Sequence, residues 1–432
     1  MITGSLLVAL LLLGVPVAVV FTLIVIANVD AWNIDWSVLP AITHDTISSF
    51  PLLAIPLFLL GGELMNRGGL IRQLTTVCDM LLGWVRAPMG HIMIAASGLM
   101  GAITGSSVAT VAAIGGTVGR EMLARGYPPG YVGALNAAAG LLGVLIPPSI
   151  PLILYGSIVG VSITQLFMAS ALPGIVMIVV FMAVHVVMSR RVLPGGQETL
   201  AAAGEAGTGP ILPGHARQRG RTVLHALPAL FLPVLVLGGI YSGYFTPTEA
   251  AAVAGVYALF ITLAGRSLKA GELRKVFLSA ALSAAAIMVI IGFTSIFNRA
   301  MVLEQVPQGI AALAMTVTEN PILFLLMVNG LLLLIGMFME TNAATLLMGP
   351  LLAPAAMQYG IDPIHFAIIL VTNIEIGLLT PPLAANVYVA ARTNKVPLLS
   401  MFRYLGWFFG VCVAVLVLIT YVPALSLWYR YF

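Results

Sequence analysis

The sequence predicts an all-α polytopic membrane protein, built as an inverted-topology repeat with two re-entrant helical hairpins and discontinuous helices. Three observations carry that expectation. Of the 432 residues, 60% are hydrophobic and only 8% charged, more apolar surface than a soluble core needs. The stretch GVLIPPSIPLILYG (Gly143 to Gly156) returns as GLLTPPLAANVYVA (Gly377 to Ala390). Each copy follows a small-polar knot, TGSSVAT (Thr104 to Thr110) in one half and METNAAT (Met339 to Thr345) in the other. Helix-breaking residues at membrane depth leave backbone groups unpaired, which a chain tolerates where those groups line a cavity or bind something. Paired Gly/Pro-interrupted segments in two halves of a chain point to a transporter's binding site.

The elements follow in order. Residues 1–192 form the first repeat, 193–221 a Gly/Ala/Pro-rich cytoplasmic linker and 222–432 the second repeat. Full crossings are expected near 4–27, 50–66, 130–158, 165–189, 223–242, 247–265, 275–298, 363–391 and 401–428. Met1 to Asn28 is apolar for longer than a signal-peptide core and lacks a basic leader, so it reads as a retained helix. Residues 89–124 are split at Thr104–Ser107 into limbs that each reach roughly 22 Å, short of a hydrocarbon core of about 30 Å. A re-entrant hairpin fits that length, and 320–358, split at Glu340–Asn342, is its counterpart, although its first limb is long enough to span. GELMNRGGLIRQ (Gly62 to Gln73) is echoed by SIFNRAMVLEQ (Ser295 to Gln305), with Asn66 and Asn298 232 residues apart and Pro148 and Pro382 234 apart. An odd number of crossings between the copies makes them face opposite sides. Segments 68–87 and 300–319 then read as interfacial arms, and 130–158 and 363–391 as broken helices.

Charge orients the chain. With the N-terminus inside, the clusters at Arg67–Arg86, Arg120–Arg125, Arg190–Arg221, Arg266–Lys275 and Arg392–Arg403 all lie in the cytoplasm. The acidic segment Asn28–Phe50, the segment Glu304–Glu319 and the C-terminus lie outside. Net charge is +4, with no basic stripe to neutralise phosphates, which argues against nucleic acid as a partner. Cys78 and Cys412 stand alone in apolar surroundings and read as small hydrophobes.

The residues able to carry chemistry cluster at the two knots. Thr104, Gly105, Ser106, Ser107 and Thr110 offer hydroxyls and carbonyls, hard oxygen ligands for a small cation; the competing reading is helix packing by small residues. The second constellation is Glu340, Thr341, Asn342 and Thr345 with Asn373, Glu375, Gly377, Thr380, Pro381, Pro382 and Asn386. A carboxylate at membrane depth costs roughly 3 kcal/mol on insertion scales. Glu340 and Glu375 must therefore face a wet cavity, a cation or a donor, be protonated, or sit nearer an interface; the bland alternative is a hydrogen bond to an unwound helix. Asn136 and Gln165 read as helix–helix hydrogen bonders. His91, His185, His225 and His365 read as interface anchors without metal spacing, and His44 and His215 as loop residues. Trp32, Trp36, Trp407, Trp428 and Tyr429 read as an aromatic belt. Thr246, Pro247 and Glu249 form a helix N-terminus. No nucleotide-binding loop or hydrolytic triad is present, and no organic cofactor is expected.

GSSVATVAAIGG, LIPPSIPLILYG, YFTPTEAAAVAGVYA, METNAATLLMGPLLAP and IGLLTPPLAANVYVA, in that order, resemble the large membrane subunit of tripartite ATP-independent periplasmic (TRAP) transporters, over about residues 4 to 428. The resemblance implies a non-enzymatic, sodium-coupled symporter of the elevator-type ion-transporter superfamily in the bacterial inner membrane. It implies two partners, a small four-helix membrane subunit and a periplasmic solute-binding protein, and an organic acid as substrate: a C4-dicarboxylate, sialic acid or a related carboxylate. Nothing precedes Met1, so the small subunit is expected as a separate polypeptide. The first sodium site carries over to Ser106 and Ser107 with Gly143 and Pro147, and the second to Thr341 and Asn342 with Gly377 and Thr380. The substrate would lie between the tips, against Thr104, Gly105, Ser149, Glu340, Pro381 and Asn386. A transport unit of both hairpins and both broken helices would slide on the remaining helices. The rival reading from a different partner set is a stand-alone sodium/carboxylate symporter of the same superfamily; an intramembrane enzyme and a passive channel are the rivals from other classes.

Overall fold

Prolines open the helices of this chain: Pro88, Pro129, Pro247, Pro321 and Pro363 each stand at the first helical position, where no N–H is needed. The computed structural model describes residues 10, 15, 17–30, 32, 35–193, 216–265 and 268–431, with 216–226 and 270 described by backbone only. Most of the linker, the start of the first crossing, Arg266, His215 and the His225 side chain lie outside the described residues. Among the described residues the chain is helical, with no strand.

Six helices form one bundle: α1 (Val17–Asn28), α2 (Val38–Ile47), α3 (Ala54–Arg67), α12 (Ala216–Tyr241), α13 (Pro247–Ala264) and α14 (Ala270–Leu303). α3 packs along α13 and α14, and α14 also packs on α1 and α2. The second group holds the interrupted segments. In the first repeat these are α5 (Pro88–Thr104) and α6 (Ser107–Ile114), then a π turn at Gly115–Gly119 and α7 (Arg120–Ala124), followed by α8 (Pro129–Ala139), α9 (Leu142–Leu145) and α10 (Ile150–Val159). In the second they are α16 (Pro321–Phe338) and α17 (Thr341–Gln358), then α18 (Pro363–Gly377) and α19 (Ala385–Asn394).

The two repeats interlock. α10 of the first packs on α17 of the second, and α19 of the second packs on α6 and α8 of the first. Tyr155 Oη donates across the seam to the Pro363 carbonyl at 2.9 Å. Each half of a broken helix thus leans on the other repeat, so neither repeat completes its core alone. α11 (Ile163–Val192) and α20 (Leu398–Tyr421) pack against this group, with α20 running along α8.

The segments expected as arms, 68–87 and 300–319, hold two short helices, and residues 300–303 belong to α14. α4 (Leu70–Leu82) buries Leu70, Ile71, Leu74, Val77 and Cys78 on one stripe and turns Arg72, Thr75 and Thr76 outward. α15 (Val306–Val317) buries Pro307, Ala311 and Ala314.

Among the described residues six segments are long and apolar enough to cross a membrane, the interrupted run Pro129–Val159 being one of them, or seven if α2 and Phe50–Arg67, bent by 56°, count as one span. Nine crossings are expected; Pro363–Gly377 is apolar but shorter than a full span, and Pro321–Phe338, a hairpin limb long enough to span, is span-length.

Other expectations change too. The segment 28–50 is not a plain loop: it holds α2, which includes His44 and lies on α14. The last crossing stops at Tyr421 because Pro423 follows; two short 3-10 turns finish the chain, and Arg430 pairs with Asp362 at 2.8 Å. His185 is no interface anchor. It is buried, with Nδ1 2.6 Å from the Tyr131 hydroxyl, Nε2 2.9 Å from the Ala87 carbonyl and its ring 4.7 Å from that of His91. His365 is likewise buried, 3.2 Å from the Thr420 carbonyl. Asn136 does bridge helices, donating to Val111 at 3.1 Å, whereas Gln165 lies in the first turn of α11, where its backbone N–H is capped by Ser162. Cys78 and Cys412 are buried and free. Thr246 and Glu249 form a reciprocal capping box on α13.

Candidate functional site

The first knot folds as a helix end facing a helix start. α5 ends because Gly105 takes φ +60°, and a Cβ there would also sit 2.8 Å from the Pro148 carbonyl. Ser106 is extended and caps α6, its Oγ accepting from the Ala109 N–H at 3.4 Å. Thr110 Oγ1 donates to the Ser106 carbonyl at 2.9 Å and lies 3.2 Å from Thr104 Oγ1. The Gly105 carbonyl accepts from Ile150 N–H at 3.2 Å, tying the knot to the break in α8–α10. Pro147–Pro148 is a cis bond in that break, as is Pro381–Pro382 in the other.

The second knot repeats the backbone plan with different side chains. Glu340 is the N-cap of α17, its carboxylate accepting from Asn342 N–H at 3.0 Å, Ala343 N–H at 3.3 Å and Asn342 Nδ2 at 2.7 Å. Leu383 N–H donates to the Met337 carbonyl at 2.9 Å, tying this knot to its own break. In both repeats a glycine of the broken helix lies on a glycine of the preceding limb. A Cβ on Gly377 would reach 2.6 Å from Gly336 Cα, and one on Gly101 would reach 2.9 Å from Gly143 Cα.

Glu375 joins the two. It is fully buried on α18, and its Oε1 accepts from Ser107 Oγ at 3.3 Å and from Thr341 Oγ1 at 2.8 Å. Ser107 and Thr341 are the first residues of α6 and α17, so two helix N-termini, each with partial positive charge, meet one carboxylate. Glu375 Oε2 has no hydrogen-bond partner, and neither do the buried Ser149 Oγ, Asn342 Oδ1 and Thr345 Oγ1. These unbonded atoms are all oxygens, the donor type a small hard cation takes.

The structure therefore brings together Thr104, Gly105, Ser106 and Gly143 around the first knot, with Pro147 and Ser149 in the break beneath it. It brings Thr341 to Ser107 through Glu375, and Asn342 to Glu340. Gly377 packs on α16, and Thr380 and Pro381 form the turn after α18, where Pro381 is exposed. Asn386 is fully buried with neither amide atom bonded. Asn373 instead joins a buried chain, donating to Asn329 at 2.5 Å, which donates to Thr420 at 3.1 Å.

The residue absent from the expected ligand sets is Glu375. Its signal was present: it is the sole Asp, Glu, Lys or Arg between Pro363 and Ala391.

A multi-pass helical membrane protein whose two repeats present helix starts to one buried polar point is built as a transport permease, and comparison with known proteins agrees. The family profile described as "Tripartite ATP-independent periplasmic transporter, DctM component" matches residues 5–425. The chain is 37% identical over 385 residues to the C4-dicarboxylate TRAP transporter large permease protein DctM of Pseudomonas aeruginosa, covering 89% of this chain and 87% of that one. It is 34% identical to the sialic acid TRAP transporter large permease protein SiaM of Vibrio cholerae, covering 83% and 81%. It is 37% identical to the isethionate TRAP transporter permease protein DctMQ of Oleidesulfovibrio alaskensis, covering 97% of this chain and 64% of that longer relative. Among solved structures, the YdaH transporter of Alcanivorax borkumensis shares the fold with a TM-score of 0.59 at 17% identity, over 92% of this chain and 88% of that one. MtrF of Neisseria gonorrhoeae does so with 0.55 at 16%, over 88% and 83%. This chain belongs to the DctM family, the large permease component of TRAP transporters, which are transporters and not enzymes.

Proposed function

We propose that this chain imports an organic acid across the bacterial inner membrane, driven by the sodium gradient, as the large permease of a complex with a small four-helix membrane subunit and a periplasmic solute-binding protein. The N-terminus is cytoplasmic and the C-terminus periplasmic. The observation that supports this best is the junction at Glu375, where hydroxyls from two knots 234 residues apart in sequence share one buried oxygen. Sodium at either knot adds positive charge beside that junction, and order at one knot is transmitted to the other through it. The acid then binds between them, held by hydroxyls, helix N-termini and the co-transported sodium. The relatives are named for C4-dicarboxylate, sialic acid and isethionate, so organic acids are the class to test. The unit that carries the solute, α5–α10 with α16–α19, moves against the six-helix bundle as an elevator. Each sodium entering down 100 mV contributes about 2.3 kcal/mol to that import.

The test is uptake by vesicles containing the full chain with its partners, with the delivered acid varied. Sodium-gradient-dependent accumulation is expected. Uptake that persists unchanged when potassium or choline replaces sodium at fixed pH would rule out the coupling.

A further inference from the structure

Two asparagines at equivalent places in the repeats do different things. Asn298, on α14 of the bundle, is buried and donates through Nδ2 to the Leu346 carbonyl of α17 at 2.9 Å. That carbonyl needs an outside donor. Its helical partner would be the N–H of residue 350, which is a proline. Asn66, the echo of Asn298 on α3, is exposed, and its side chain makes no hydrogen bond. The pairing of Ser107 with Thr341 as helix starts sets the offset between α6 and α17, and it maps Leu346 onto Ala112. Asn66 and Ala112 line one cavity of about 240 Å³ between the bundle and α6, together with Glu63, Thr104, Ser279 and Ser283. Just beyond Ala112, α6 gives way to the π turn at Gly115–Gly119, and the Ala112 carbonyl accepts from the Gly115 N–H, so it does not depend on an asparagine as the Leu346 carbonyl does. The contact of Asn298 is made, and the cavity at Asn66 is open.

We propose that Asn298 and Asn66 are alternating positioning residues for transport. Asn298 holds α17 to the bundle in the state seen here. In the opposite state Asn298 lets go, the cavity beside α6 closes, and Asn66 takes the carbonyl face of α6 at Ala112. This rests on the reading that the interrupted segments move against the bundle. Each acts by setting which side of the moving unit is docked.

The test is disulfide trapping in membrane vesicles carrying the full chain with Asn66→Cys and Ala112→Cys. Cys78 and Cys412 are buried and stay in place. Copper-phenanthroline is expected to cross-link the pair slowly, because the cavity is open. Adding Asn298→Leu should raise the cross-linking rate roughly fivefold, the population shift expected from losing one net hydrogen bond. Pro350→Ala should act in the same direction without touching Asn298, because it returns an N–H to the Leu346 carbonyl; it carries the test if the Asn298 variant fails to insert. A cross-linking rate that neither change alters overturns the proposal, and so does rapid cross-linking in the unmodified background. The assay needs neither solute nor sodium. A raised rate in a chain that carries no organic acid keeps the positioning role and sinks the transport reading. An unchanged rate in a chain that does carry one has the reverse meaning.

Discussion

The two knots share a backbone and differ in chemistry. Around the first, hydroxyls do the work: Ser106 caps α6, and Thr104 and Thr110 face each other at 3.2 Å. Around the second, a carboxylate does: Glu340 caps α17 with three hydrogen bonds from its own helix. The first break, with Pro147 and Pro148, is buried, whereas Pro381 and Pro382 of the second are exposed. What the duplication preserves is therefore the geometry of interruption, namely a proline pair, a glycine-on-glycine contact and a helix start aimed inward. The side chains that satisfy each interruption were free to diverge, because any oxygen acceptor in reach of the first turn's N–H groups will cap a helix. Glu375 is where the divergence ends, since one atom serves both.

The largest expected effect breaks that shared point. Glu375→Leu keeps bulk and removes the acceptor for Ser107 and Thr341. Leaving two buried hydroxyl donors unpaired costs about 1–3 kcal/mol each, so vesicle uptake should fall by about 100-fold while insertion survives. Uptake within twofold of the parent would show that the two knots work independently.

Next come the glycine contacts. Gly377→Ala would press a methyl against Gly336 backbone at 2.6 Å, where neither side can give. Gly143→Ala would meet Thr110 Oγ1 at 2.5 Å, which can rotate away, and the Ser106 carbonyl at 2.7 Å. Both should destabilise, by about 1–3 kcal/mol, with Gly377→Ala the worse. Thermal unfolding in detergent reads the order, and a larger loss at Gly143 would invert the ranking of the two repeats.

A sharper comparison sets Ser106→Ala beside Asn342→Ala. Each should raise the sodium concentration for half-maximal uptake, by about tenfold if a ligand worth ~1.4 kcal/mol is lost, without loss of insertion. Sodium titrations that stay put in both variants remove the site assignment. The smallest effect lies outside the comparison. Thr246→Ala breaks the capping box on α13, should cost about 1 kcal/mol of stability and should leave the sodium titration untouched.

Much of this was legible in the chain before any coordinates. The interruptions near 104–107, 143–151, 340–342 and 377–386 all appear as helix breaks, three of them at glycine or proline and the one at 340–342 at the capping side chain of Glu340. The Thr246 capping box and the amphipathic stripe of α4 are equally local. The helix inside 28–50 and the early end of the last crossing were less legible. The first depends on contact with α14, and the second on where a proline cuts an otherwise continuous apolar run.

By itself, then, the sequence determined the class of the molecule, the four places where its helices come apart and their relation by repetition. Those follow from composition, from period and from residues whose backbone preferences hold in any surroundings. Only the tertiary structure decided that Glu375 joins Ser107 to Thr341, that His185 sits between Tyr131 and Ala87, that α10 and α19 cross into each other's repeats, and that Asn298 is bonded while Asn66 is not. Each of these pairs groups that are far apart along the chain, and no local preference encodes which distant acceptor a buried donor will meet.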